Sequence, residues 1–163
     1  MTYTHYTLTG DLVDDWNYLD MHGRTGVGSY DVNWPRIEAE WFMAANNCTK
    51  VQINTHSSNE SFAVAFPRSG GSLSFPNIAG VSEATTVKLS FSKVVGSGIV
   101  TIWPGPADVD HGTPLASCKV STSAMESTCP FKFAEGISGV TLKYDASADP
   151  PGGIELDWWA LSK

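Results

Sequence analysis

The chain has 163 residues, which suits one domain with a sizeable core, and its 42% hydrophobic and 17% charged residues indicate a folded protein. The formal net charge is −7 and no cluster of Lys or Arg offsets it, which argues against a nucleic-acid partner. No apolar run approaches the roughly 18 residues of a membrane-spanning helix, so no membrane association is expected.

Residues 1–34 differ in composition from the rest of the chain. A strand is predicted over Tyr3–Leu8, and the remainder is expected to be loop, including a Gly-rich stretch over Gly23–Ser29. That stretch lacks the strand, helix and Lys of a phosphate-binding loop. The first residues have neither the basic region nor the apolar region of a signal peptide. Residues 1–34 are expected to be an N-terminal extension of the regular β domain; the family resemblance described below implies instead the tail of a preceding catalytic domain with its linker.

From Arg36 onward, short runs of alternating polarity are separated by Gly, Pro, Asn and Asp, a pattern typical of all-β proteins. A helix starting at Pro35 is an alternative for the first run, for which we favour a strand. The predicted strands are Arg36–Met43, Lys50–Asn54, Phe62–Phe66, Gly71–Phe75, Ala84–Ser92, Gly98–Trp103, Leu115–Val120, Lys132–Phe133, Gly139–Tyr144 and Gly153–Leu161. They predict an all-β, jelly-roll-like sandwich of two antiparallel sheets over residues 35–163.

The three cysteines favour one disulfide. Cys118 and Cys129 are eleven residues apart in a stretch that can form two strands and a turn, which brings two Cβ atoms within disulfide range. Cys48 is then left over, either buried or reactive. Zinc is disfavoured because no Cys-x-x-Cys motif or His cluster is present. Two glycosylation sequons, Asn47–Thr49 and Asn59–Ser61, fit eukaryotic secretion, although such triplets are common by chance.

Two segments carry acidic residues within otherwise apolar strands. In a strand, Glu38 and Glu40 share one face, and Asp157 lies in the last predicted strand. Acids paired on a half-buried strand repel one another unless they are protonated or bind a cation, and calcium takes such oxygen ligands. The alternative on spacing alone is that these acids lie on a solvated face.

The same segments resemble a known family. Ile37-Glu-Ala-Glu-Trp-Phe resembles the opening strand of family 6 and family 35 carbohydrate-binding modules, and Gly153-Ile-Glu-Leu-Asp-Trp-Trp is similar to their closing strand. Segments 69–75 and 112–116 are similar to two internal stretches of these modules. The resemblance implies a structural calcium ion bound by Glu38, Glu40 and Asp157, with main-chain carbonyls from Asp157 and from residues 58–60.

The resemblance also implies a sugar site in loops at one end of the sandwich. There, the family uses a pair of aromatic rings and an Asn, and this chain has Phe66 in place of the usual Tyr and Glu155 in place of the Asn. The aromatic residue expected after Val120 is missing. Trp103 is a candidate replacement, because Pro104 and the following Gly favour a loop. The alternative is that Trp103 covers the core or an interface.

The sequence therefore predicts a secreted, non-catalytic carbohydrate-binding module that holds a glycoside hydrolase near a plant or fungal cell-wall polysaccharide of the xylan, arabinan or galactan type. The expected partners are that polysaccharide and a catalytic domain on the same parent chain, since Tyr3–Leu12 is slightly similar to the last strand of family 43 glycosidase propellers. A structural accessory domain that has lost sugar binding is the alternative. Catalysis is not expected, because calcium explains the acids better and no Gly-x-Ser-x-Gly elbow accompanies the Ser and His residues.

Overall fold

The computed structural model describes residues 2–6, 12–17, 30–53, 62–67, 69–105, 112–147 and 152–163. These residues form strands and turns, with two single-turn 3-10 helices at Ala39–Trp41 and Val81–Glu83. In this part of the chain, no helix has the length and apolar character needed to cross a membrane.

Two antiparallel sheets form the body of the molecule. The six-stranded sheet contains, in spatial order, β13 (Glu126–Pro130), β10 (Thr86–Val94), β15 (Ile154–Ser162), β7 (Phe62–Phe66) and β6 (Thr49–Gln52), with β4 (Ile37–Glu38) also paired to β15. The five-stranded sheet contains β12 (Ala116–Val120), β11 (Gly98–Pro104), β14 (Val140–Ala146), β8 (Gly71–Phe75) and β5 (Ala44–Asn46). The predicted all-β antiparallel sandwich is confirmed.

Two smaller ladders complete the described strands. β1 (Thr2–Tyr6) pairs antiparallel with β2 (Leu12–Asn17), and β3 (Tyr30–Asp31) pairs parallel with β9 (Ile78–Ala79). The expectation of loop was therefore wrong for β2 and β3, whereas the predicted Gly-rich loop at 23–29 lies outside the described residues.

The core lies between the two large sheets and follows the alternation in the sequence. Val87, Leu89 and Phe91 of β10 point into it and are nearly inaccessible to solvent. Trp159 of β15 is fully buried and packs edge-on against Phe75 of β8 at 4.9 Å between ring centroids. Apolar side chains from both sheets thus interdigitate across the interior.

Two strand predictions were wrong. The run from Arg36 to Met43 pairs with β15 only at Ile37 and Glu38, and then turns into the first 3-10 helix. Residues 132–133 form no strand, and β13 lies earlier in the chain. β13 is a mostly exposed edge strand, so its side chains carry little apolar signal, and its backbone pairing with β10 defines it instead.

The sandwich core begins before the predicted domain boundary at residue 35. Tyr30 and Val32 are buried in it, and Tyr30 packs edge-on against Phe75 at 5.3 Å. The Val32 amide donates a 3.0 Å hydrogen bond to the carbonyl of Ala79. Residues 30–34 therefore pack as part of the sandwich, and the assignment of residues 1–29 to another domain stays a prediction.

The predicted disulfide between Cys118 and Cys129 is confirmed, with a Cα–Cα distance of 5.2 Å. Its two strands are not partners in one sheet: β12 is the edge of the five-stranded sheet and β13 is the edge of the six-stranded sheet. The disulfide thus joins the two sheets along one side of the sandwich. On the other side the edge strands are β5 and β6, which are connected by the turn at Asn47 and Cys48.

Candidate functional site

Strand β4 lies beside β15, the last strand of the sandwich, as the implied calcium site requires. Glu38 stands opposite Trp158, and Ile37 stands opposite Trp159. Further along the same edge of β15, β7 pairs with Ile154–Leu156. Asp157 therefore lies between the part of β15 that pairs with β7 and the part that pairs with β4. On the other edge of β15, a ladder irregularity leaves Asp157 without a paired residue in β10.

Three acidic side chains lie close enough at this junction for their charges to affect one another's pKa values. Burial raises the pKa of Glu40, and the charges of Glu38 and Asp157 raise it further, while a backbone hydrogen bond and Lys50 lower it. Burial also raises the pKa of Glu38 and of Asp157, and Arg36 lowers both. We name Glu38, Glu40 and Asp157 the acidic junction.

Positive charge compensates this junction only in part. Arg36 Nε lies 2.6 Å from Glu38 Oε1, but the Arg36 side chain is 60% exposed, so water screens the pair. Glu40 Oε2 is buried and has no hydrogen-bond partner among the described residues. Burying a carboxylate oxygen without a hydrogen-bond partner costs free energy. A bound cation or a proton on Glu40 would remove that cost.

The acidic side chains do not surround a single point in this structure. Within the described ranges, no three Asp, Glu, His or Cys side chains are arranged so that they could hold one metal ion. Residues 58–60, predicted to add a main-chain ligand, lie outside the described part of the chain.

The predicted role of Phe66 in sugar stacking was wrong. Its ring is 1% exposed and packs edge-on against Tyr144 at 6.2 Å, inside the core. Phe66 and Val64 both point inward from β7, so no face of the Phe66 ring is available to a sugar.

Glu155 lies on the outer face of the six-stranded sheet. Its Oε2 accepts a 3.2 Å hydrogen bond from Ser92 Oγ, and its Oε1 lies 3.6 Å from Lys93 Nζ. The carboxylate borders a groove of about 210 Å³, which is also lined by Ala65, Phe66, Pro67, Lys93, Val95, Gly153 and Ile154. The structure therefore places Glu155 where it can meet a ligand, with an ammonium group and a hydroxyl beside it.

Trp103 lies on the outer face of the other sheet, so the structure separates it from Glu155. Its ring is partly exposed, and its Nε1 donates a 2.9 Å hydrogen bond to Thr101 Oγ1. Thr101 Oγ1 donates in turn to the carbonyl of Lys143 at 3.3 Å. These bonds fix the orientation of the indole at the end of β11, next to Pro104.

A row of hydroxyl groups crosses the same face and was missed by the sequence analysis. Trp103 is paired with Thr141 of β14, and Thr141 is paired with Ser74 of β8, with 3.0 Å between the two hydroxyl oxygens. Ser72 lies two residues from Ser74 on the same face. The alternation in Gly71-Ser-Leu-Ser-Phe was the available signal, since it places two Ser residues on the outside of a strand. We name Ser72, Ser74, Thr101, Trp103 and Thr141 the hydroxyl strip.

No protein-family model matches the chain, and no curated protein matches it. Several solved structures of family 6 carbohydrate-binding modules are similar to it. One, a module of Clostridium stercorarium in complex with cellobiose, has a TM-score of 0.61 and 19% sequence identity, over 83% of this chain and 97% of that one. The chain has the fold of a family 6 carbohydrate-binding module.

Two other similar structures extend the comparison. A family 43 arabinoxylan arabinofuranohydrolase of Bacillus subtilis, in complex with cellotetraose, has a TM-score of 0.68 and 15% identity, over 98% of this chain but only 33% of that one. A family 36 carbohydrate-binding module in complex with calcium and xylotriose has a TM-score of 0.51 and 15% identity, over 79% of this chain and 100% of that one. At these identities the likeness shows the fold of the sandwich.

Proposed function

We propose that this chain is a non-catalytic carbohydrate-binding module of a secreted glycoside hydrolase. The observation that carries the proposal is the fold, which the chain shares with family 6 modules, one of them in complex with cellobiose. The target is a plant or fungal cell-wall polysaccharide of the xylan, arabinan or galactan type.

The hydroxyl strip supports sugar binding at the five-stranded sheet. Sugar rings present apolar C–H patches that stack on aromatic faces, and their hydroxyl groups need a few fixed polar partners. Trp103 supplies the ring, held by Thr101, and the Ser72 and Ser74 hydroxyls of β8 supply the partners, while the buried Thr141 hydroxyl bonds the Gly105 carbonyl and Ser74. Lys143 lies between Thr101 and Ser72 on the same face, so this surface offers one ammonium group beside its hydroxyls.

Glu155 supports a second contact region on the opposite sheet. Its carboxylate accepts hydrogen bonds and shares its groove with Lys93. Because Glu155 and Trp103 lie on different sheets, one short sugar chain does not contact both. We assign the principal contact to Trp103, because Thr101 holds its ring in place, whereas the Trp158 ring on the Glu155 side lies under Lys88.

The acidic junction supports a structural calcium ion. Glu38, Glu40 and Asp157 would have to converge to hold it, because calcium takes carboxylate oxygens and Glu40 Oε2 is buried with no hydrogen-bond partner among the described residues. Calcium would neutralise the three carboxylates and tie β4 to β15, and a similar family 36 module is described with calcium bound. Its role here is in stability, because the junction contributes no stacking surface.

A parent enzyme is supported by the match that extends over nearly the whole chain. The arabinofuranohydrolase covers 98% of this chain, and the chain spans about a third of that protein. Secretion is supported by the disulfide, because disulfides persist in oxidising compartments outside the cytosol.

The proposal is tested by titrating xylo-, arabino- and galacto-oligosaccharides into the chain and measuring heat and tryptophan fluorescence. We expect binding to at least one series, and Trp103→Ala to weaken it at least about tenfold, or about 1.4 kcal/mol. Trp158→Ala is the matched control, because Trp158 is a partly exposed indole on the other sheet, under Lys88. Equal losses in the two variants would remove the assignment to Trp103.

A second candidate function is a structural accessory domain without sugar binding. The burial of Phe66 favours it, because the aromatic residue expected at the usual sugar site is unavailable. The absence of binding to every polysaccharide of plant and fungal walls, by a chain that is folded, would establish this alternative and overturn the first.

A further inference from the structure

The turn between β5 and β6 exposes a glycosylation sequon. Asn47 is exposed at its tip with φ of 51°, a left-handed conformation that Asn adopts more readily than most residues. Thr49, at the third position of the sequon, begins β6 and is exposed as well. The acceptor amide and the required hydroxyl therefore both face solvent.

Packing beneath the turn fixes this orientation. Cys48 points inward, and its thiol donates to the carbonyls of Asn46 at 3.2 Å and Ser72 at 3.6 Å. The backbone of Gly71 approaches so closely that a Cβ there would lie 3.0 Å from Cys48 Sγ and 3.1 Å from the Asn47 carbonyl oxygen. With the middle residue of the sequon held inside, the first and third residues are held outside.

The middle residue does not compete with modification. Cys118 and Cys129 are paired with each other, so Cys48 is a free thiol. Burial raises the pKa of the Cys48 thiol to about 12, so it stays protonated at neutral pH and is a poor nucleophile.

The surroundings leave room for a sugar. Asn47 and Thr49 border an open groove of about 400 Å³, together with Cys48, Pro67 and Ser69. Pro67 offers an apolar surface and Ser69 a hydroxyl, so the first sugar of a glycan can rest against the protein without displacing a strand.

We propose that Asn47 is an acceptor of an N-linked glycan in a eukaryotic secretory pathway. Asn47 Nδ2 forms a bond to C1 of the first N-acetylglucosamine, and the bond from that C1 to the pyrophosphate of a lipid-linked oligosaccharide breaks. The amide nitrogen loses a proton, and the lipid pyrophosphate leaves with the electron pair. The same pathway supplies the oxidising conditions in which the Cys118–Cys129 disulfide forms.

The test is secretion of the full chain from yeast, followed by peptide mass spectrometry with and without peptide N-glycosidase F. Asn59→Gln is included throughout, so that the second sequon, which lies outside the described residues, contributes no glycan. We expect the Asn47 peptide to carry a glycan and the enzyme to leave Asp in its place.

Two substitutions of Thr49 provide the matched pair. Thr49→Val removes the hydroxyl but suits an exposed strand position, and should abolish the glycan. Thr49→Ser keeps the hydroxyl and should retain it. Asn47→Gly, which tolerates the left-handed backbone, gives the same readout if the valine variant is not secreted. A folded, secreted chain with an unmodified Asn47 peptide, or a glycan that persists in Thr49→Val, overturns the proposal.

Discussion

Glu38 stands opposite Trp158 in the pairing of β4 with β15, the last strand of the sandwich. Asp157 is the neighbour of Trp158, and the charges of Glu38 and Asp157 act on each other. Residues from near the two ends of the sandwich sequence thus form one acidic region. The charge of this region makes stability depend on calcium and on pH.

Calcium is expected to raise the melting temperature. An ion that binds the folded chain alone stabilises it by about 2.7 kcal/mol at a hundred times its Kd. Thermal unfolding in Ca²⁺ and in chelator measures this difference, and Glu40→Gln or Asp157→Asn should remove most of it. Glu126→Gln is the control, since Glu126 pairs with Lys88 at 3.0 Å on an exposed edge. Identical melting with calcium and with chelator would show that the acids are merely solvated.

Without metal, the acidic junction is expected to favour the folded state at low pH. Glu38, Glu40 and Asp157 have pKa values raised above their ordinary 4.5, 4.5 and 3.8, so the folded chain holds their protons more tightly than the unfolded chain does. Their contribution is present below the ordinary values and is lost as pH rises through the raised ones. Urea unfolding at a series of pH values, in chelator, measures it. Glu40→Gln should flatten the trend relative to the unsubstituted chain, and an unchanged pH profile would contradict the assignment.

Tyr30→Ala is expected to destabilise the sandwich by about 3–5 kcal/mol, as for other buried aromatic residues. Its ring packs on Phe75, and its hydroxyl donates to the carbonyl of Trp41. Met43→Ala, at a side chain that is 49% exposed, should change stability by less than about 0.5 kcal/mol. Urea denaturation compares the two. If Tyr30→Ala lowers the free energy of unfolding only slightly, residues 30–34 act as a linker and not as part of the sandwich core.

Cys48 is expected to resist thiol reagents in the folded chain. Its pKa of about 12 leaves almost no thiolate at pH 8, and its position against Ser72 restricts access. A disulfide reagent should label it slowly in buffer and quickly in urea, with Cys48→Ala as the blank. Rapid labelling of the folded chain would mean that the turn opens.

Regular alternation made some strands predictable to the residue. Ser and apolar residues alternate in β8, and its predicted bounds, Gly71–Phe75, are those observed. β7 was placed equally well, but all five of its residues are apolar, so the sequence carries no sign of which face is inward. The wrong role for Phe66 follows from that ambiguity.

Long-range contacts determined what the sequence could not show. Ile37-Glu-Ala-Glu has the alternation of a strand, yet the chain leaves the sheet after Glu38 and forms a 3-10 helix. The Tyr30 hydroxyl stabilises this turn by donating a hydrogen bond to the Trp41 carbonyl. The acids were placed together by resemblance to a family, since spacing alone left a solvated face open. The hydroxyl strip arises from the register of three strands, which no local pattern encodes.

The Cys118–Cys129 disulfide makes the two sides of the sandwich unequal. It joins the two sheets at their edge strands β12 and β13. On the opposite side, the short turn at Asn47 connects β5 of one sheet to β6 of the other. We therefore expect heat or force to separate the two sheets first at β5 and β6, and last at β12 and β13. Strands β12 and β13 should stay linked until the disulfide is reduced.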